Sequence, residues 1–172
     1  EWRKRAGLNP EPQWQKVIDN LARLTTRDGL YLFSENAVDS YIDSSFLHDH
    51  PMIAGCLGML PPAPEVDPAV LEKSLNALWD IWDWQSTWGW DYPMLAMSAA
   101  YLKKPDWAVN YLSMKTVKNT YLTNGHNYQR FDLSIYLPGN GGLLAAVALL
   151  CTKDGWPKDG QWAVKWEKLK SL

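Results

Sequence analysis

Four aspartates stand where proton-transfer chemistry could use them: Asp49 between His48 and His50, Asp83 and Asp91 within a tryptophan-rich stretch, and Asp132 after an amide-rich loop. Cleavage of a glycosidic bond needs two carboxyl groups about 5–10 Å apart, and carboxylates are the plausible chemistry of this chain. No G-x-S-x-G elbow is present, and Cys56 and Cys151 lie in apolar runs where a thiolate has nothing to stabilise it. His48-Asp49-His50 lacks a third and fourth ligand of matching spacing, so no metal is expected. Leu137-Pro138-Gly139-Asn140-Gly141-Gly142 has neither GxxxxGK(S/T) nor GxGxxG spacing, which removes the phosphate-cradling loops, and no cofactor is implied.

Trp occurs 11 times, against 8 Tyr and 3 Phe, mostly beside Pro, Gly, Asp and Asn. Within Trp82–Pro93, indole rings alternate with Asp, Gln and Ser. Sugars present C–H faces that stack on indoles and hydroxyls that need polar partners, so this alternation suits a saccharide cleft. The same rings could plug the gap between two helices. Helical spacing puts Trp79 and Trp82 on a packing face, whereas Trp88, Trp90 and Asp91 fit the cleft. Asn124-Gly125-His126-Asn127-Tyr128-Gln129 supplies amides that either read hydroxyls or satisfy loop backbone. His50 reads as a neutral imidazole at the start of an inner helix. On the cleft reading Asp91 is the catalytic carboxylate, and His50, Trp88, Trp90, His126, Asn127 and Asn140 are substrate-binding residues.

The elements that must position these residues follow from periodicity. Trp14, Val17, Ile18, Leu21 and Leu24 predict an amphipathic helix after Pro12, closed by Asp28-Gly29. Leu30–Phe33 reads as a short strand, and Met52–Leu60 as a nearly all-apolar helix stopped by Pro61-Pro62. Asp67-Pro68 is a helix start, with Asp as cap and Pro in the first turn, and Val70, Leu71, Leu75, Leu78, Trp79 and Trp82 form one apolar face. Tyr92–Leu102 is again apolar all round, Pro105 to about Met114 amphipathic, Lys115–Asn140 a long loop, and Gly141–Cys151 the third all-apolar helix. Helices apolar on all sides are buried, and those with one apolar face cover them. The apolar helices begin near 51, 93 and 141, so they recur about 42 and 48 residues apart, as in stacked helical hairpins. The loops His48–Pro51, Asp83–Pro93 and Asn124–Gly142 are expected to meet at the N-terminal end of these inner helices.

The 172 residues, 47% hydrophobic, fit one domain spanning 1–172. Seventeen basic and 19 acidic residues are interspersed, so no field would collect nucleic acid or an anionic membrane. The longest apolar run, the nine residues Leu143–Cys151, is well below the roughly 20 a membrane span needs. Glu1-Trp2-Arg3-Lys4-Arg5 has no apolar run behind it and no initiator Met, and the chain is expected to be a processed or partial product.

At these residues the sequence resembles the C-terminal part of bacterial proteins related to glycoside hydrolase families 65 and 95. The resemblance is carried by WDWQSTWGWDYPMLAMSAAYL, KNTYLTNGHNYQ and IYLPGNGGLLAAVALL, then by Gly155-Trp156-Pro157-Lys158-Asp159-Gly160 and Val164-Lys165-Trp166-Glu167. It implies an all-α fold of stacked hairpins forming part of an (α/α)6 toroid, and short β pieces are expected near 30–33 and 162–167. It also implies a periplasmic or secreted location, and a parent that hydrolyses an oligosaccharide or glycoside with a general acid lying before Glu1. Family 95 fucosidases carry an acidic residue just before the Gly-Asn of the last inner helix. Here that position is Pro138, so its role does not carry over. A non-catalytic carbohydrate-binding protein, or a helical domain that homodimerises through exposed inner helices, is the alternative.

Overall fold

The computed structural model describes residues 2–60 and 62–151. Among them the chain is predominantly helical, with two small antiparallel strand pairs. A short helix α1 (Trp2–Arg5) and α2 (Pro12–Asp19) come first, followed by the hairpin β1 (Thr26–Arg27) and β2 (Leu30–Tyr31). Asp28 and Gly29 form its turn, both at positive φ (54° and 79°), so these residues reverse a strand rather than close a helix. The expected first helix is correspondingly shorter. It buries none of its residues, leaving Trp14, Val17 and Ile18 exposed. The expected strand at 30–33 survives as Leu30–Tyr31, and the β piece expected at 162–167 lies outside the described residues.

Helix α3 (Pro68–Ile81) starts where its sequence cap requires, with the Asp67 carboxylate accepting from the Ala69 N–H at 2.8 Å. Its spacing turns Leu71, Leu75 and Leu78 inward to full burial, each worth about 1.5–3 kcal/mol. Helix α4 (Asp91–Tyr101) is the centre of the fold, with nine consecutive buried residues from Asp91 to Ala99. It packs against α5 (Pro105–Leu112), α6 (Leu137–Leu150) and the turn at Met52–Gly55. Its small side chains allow that approach. The buried Ser98 hydroxyl on it is satisfied between the carbonyls of Ala54 and Leu57.

Two inner helices differ from expectation. Met52–Leu60 is a single 3-10 turn, Met52–Gly55, followed by irregular chain. Gly58 explains the difference: it has φ +90°, and a Cβ there would come within 2.6 Å of the Met97 carbonyl carbon. This segment lies flat on α4 through its glycines instead of coiling beside it. Helix α6 begins at Leu137, earlier than expected, with Pro138 in its first turn. It buries only Gly139, Ala146 and Leu150, while Leu137 and Leu144 are 63% and 72% exposed. Apolar composition all round therefore does not mean burial all round here. The long loop before α6 contains a second hairpin, β3 (Thr120–Tyr121) and β4 (Asn127–Tyr128).

Candidate functional site

The starts of α4 and α6 are held close together. A Cβ on Gly142 would meet Pro93 Cγ at 2.7 Å, so the absence of a side chain lets the two first turns cross. Into this corner come the segment ending at His50-Pro51 and the loop 82–90, and the second hairpin backs it.

Asp91, the first residue of α4, has a side chain with no solvent exposure. One oxygen accepts the Trp88 N–H at 2.7 Å, and both lie 3.0 Å from His50 Nδ1. Burial pushes the Asp91 carboxyl up to about 6, against the opposing pull of the Trp88 N–H and of His50. An ionised carboxylate only accepts hydrogen bonds, so Nδ1 must carry the hydrogen and the lone pair of Nε2 points away from Asp91. The His50 ring is 31% exposed, and its Nε2 lies 3.6 Å from Asp49 Oδ1. Asp49 has φ +66°, a conformation uncommon outside glycine. It is tied down by its N–H donating to Ser86 Oγ (2.7 Å) and by the Trp88 Nε1–H donating to its carboxylate (3.0 Å). Together these groups form a buried carboxylate, an imidazole oriented by it and a second carboxylate at the outer edge.

Two indoles flank the imidazole, with centroids 5.1 Å away for Trp90 and 6.2 Å for Trp88. Trp88 already has company, since Lys118 Nζ lies 4.8 Å and Arg130 Cζ 5.8 Å from its ring centre, and Tyr136 packs at 5.6 Å. Trp90 is more open. It lines a groove of about 350 Å³ with Met59, Met97, Pro138, Gly141 and Gly142.

The amide loop acts from behind. Gln129, buried, accepts the Gly89 N–H at 2.8 Å and donates to Asn127 Oδ1 at 2.7 Å. Asn127 Nδ2 donates to the carbonyls of Lys118 and Thr120, and the Asn127 N–H donates to Asn140 Oδ1. Asn140 Nδ2 completes the network on Gly125 O. Gly89 and Gly139 press against Asn127 so closely that a Cβ on either would overlap its Oδ1. Asn127 is wholly buried with its side chain engaged, and the Asn140 side chain bonds backbone through both its oxygen and its nitrogen, so both brace the corner.

Of the expected site residues, His50, Trp88, Trp90 and Asp91 are brought together. No hydrogen bond or ring contact among the described residues joins His126 to them, and its Nδ1 is enclosed without a partner. Asp91 is present but walled off from solvent. Asp83 caps its own turn at Gln85, and Asp132 is exposed and paired with Arg130 at 2.7 Å. Tyr136, Lys118 and Arg130 were not anticipated, and Gln129 was expected only as one of the amides of its loop. The available signal for Gln129 was its place two residues after Asn127, just beyond β4. Among the described residues no group of three or more His, Cys, Asp and Glu is arranged to hold a metal ion, and no helix is long and apolar enough to cross a membrane.

The geometry defines a helical protein carrying an aromatic-flanked His–Asp pair at a helix start. No protein-family profile, curated protein or solved structure matches the chain.

Proposed function

We propose that the chain forms one wall of a carbohydrate-binding cleft in a parent of (α/α)6-toroid type that hydrolyses a glycosidic bond, with Trp90 as sugar platform and His50 Nε2 as the proton acceptor. The observation that carries this reading is the buried Asp91 holding the partly exposed imidazole of His50 between two indoles. In the step envisaged, a water loses its proton to Nε2 as its oxygen bonds the anomeric carbon. The bond to the departing oxygen breaks, and that oxygen is protonated by a carboxylic acid from elsewhere in the parent. Asp91 orients the imidazole and stabilises the imidazolium formed.

Two measurements test it. Titration of the isotope-labelled chain with neutral oligosaccharides is expected to shift the Trp90 indole and His50 imidazole resonances. Turnover of aryl glycosides by the parent is expected to be lost in His50→Ala. A chain blind to every sugar together with a parent indifferent to His50 would sink the proposal.

A second reading, self-association, is favoured by the exposed apolar residues of α2 and α6, Val17 (62%) and Leu144 (72%) among them. A homodimer in sedimentation that dissociates in Leu144→Asp would support it. A monomer at micromolar concentration would remove it.

A further inference from the structure

A second aromatic pocket lies between α3 and α5 and shares no lining residue with the Trp90 groove. It has a volume of about 270 Å³ and is lined by Leu75, Asn76 and Trp79 from α3 and by Trp107, Asn110 and Tyr111 from α5. That is just below the usual range for small-molecule sites, which limits an occupant to about one ring. Leu75 and Tyr111 are buried and make its floor, and the other four are at least partly exposed.

Helical periodicity places an amide and an indole one turn apart on each wall, Asn76 with Trp79 and Trp107 with Asn110. The rings are held before any ligand arrives. Trp79 packs edge-on to Tyr111 at 5.0 Å, and Lys104 Nζ sits 5.5 Å from the Trp107 ring centre while paired with Glu72 at 2.7 Å. The Trp84 Nε1–H bonds the Trp79 carbonyl at 2.9 Å, fixing that end of α3. Among the described residues, no hydrogen bond uses the side-chain amides of Asn76 and Asn110 or the indole N–H groups of Trp79 and Trp107. An apolar floor, two indoles and four uncommitted polar groups at the rim, with the nearby ion pair neutralising itself, match a neutral ring having an apolar face and a hydroxylated edge.

We infer that this pocket is a second saccharide site, taking one neutral pyranose residue. The inference rests on the carbohydrate reading above, and the two fail separately in one experiment. The full 172-residue chain, isotope-labelled, is titrated at millimolar levels with glucose, galactose, mannose, fucose, maltose and cellobiose. The indole N–H resonances of Trp79 and Trp107 and the amides of Asn76 and Asn110 are followed beside those of Trp88 and Trp90.

Saturable shifts at the first four are expected for at least one sugar. They should weaken at least tenfold in the Asn76→Ala/Asn110→Ala double variant, whose changes are on exposed side chains, and persist in His50→Ala. Shifts confined to Trp88 and Trp90 would overturn the second site and leave the cleft standing. Silence at all positions would overturn the second site, and joined with a parent indifferent to His50 it would overturn the cleft as well. Movement of Trp79 and Trp107 with protein concentration alone, unaffected by sugar, would assign the pocket to a second copy and overturn the inference.

Discussion

Replacing Asp91 by Asn tests how burial sets the charge of the His–Asp pair. Burial raises the Asp91 carboxyl from 3.8 to about 6, outweighing the Trp88 N–H and the neighbouring His50. A rise of that size corresponds to about 3 kcal/mol. The folded protein holds this proton more tightly than the unfolded chain does. The resulting stabilisation is complete below about pH 4, declines between about pH 4 and 6, and is gone above that range. Asn keeps the acceptor for the Trp88 N–H but cannot titrate. Urea unfolding followed by tryptophan fluorescence, at a series of pH values, gives both stabilities. The advantage of the native chain over Asp91→Asn should shrink by about 3 kcal/mol between about pH 4 and pH 7. Parallel stability curves would refute the argument, because the carboxylate would then be no less comfortable inside than in water. A native advantage that grew with pH would show that attraction to His50, and not desolvation, sets the charge.

The same substitution should reverse the His50 tautomer: an Asn amide donating to Nδ1 moves the hydrogen to Nε2, which nitrogen-resolved imidazole spectra distinguish directly. Gln129→Ala strands the buried Gly89 N–H and should cost about 1–3 kcal/mol in chemical denaturation, with a change in the Trp88 and Trp90 indole resonances as the loop they bracket loosens. An unchanged stability would mean that water replaces the amide. Gly58→Ala puts a side chain at φ +90° against the Met97 backbone and should cost about 2–4 kcal/mol, while Gly125→Ala, also at positive φ but with open space around it, should cost less. Equal losses in the two would show that conformation, not contact, dominates at Gly58.

Where local chemistry decides, the sequence was readable. Asp67-Pro68 caps and starts α3 through its own atoms, and the largely apolar run from Tyr92 forms the buried α4 as expected. The meeting of the His50 segment, the Trp-rich loop and the amide loop was also legible, since each precedes or braces an inner segment. What depends on distant partners was not. Nothing within Met52–Leu60 announces that Gly58 must lie against Met97, and its composition is that of a helix. The density of amides around Asn127 was plain. Their direction came from strand alternation and from two glycines that leave room only for an inward carboxamide.

Asp91 is the instructive case, because its residue type and position both suggested direct chemistry. A carboxylate at the first position of a helix is ordinarily open to solvent, with the helix dipole favouring its charge. Here His50, 41 residues earlier, closes over it, and the Trp88 N–H takes up an oxygen from the other side. With no exposed atom, Asp91 can act on a ligand only through the imidazole, so proton exchange with anything in the cleft has to occur at His50 Nε2. Asp49, 55% exposed and 3.6 Å from that nitrogen, is the carboxylate on the open side of the ring. Two of the four aspartates picked out in the sequence therefore flank one histidine, Asp91 behind the ring and Asp49 in front of it. On the proposed function, that ordering favours a single relay through the ring over a pair of acids working side by side.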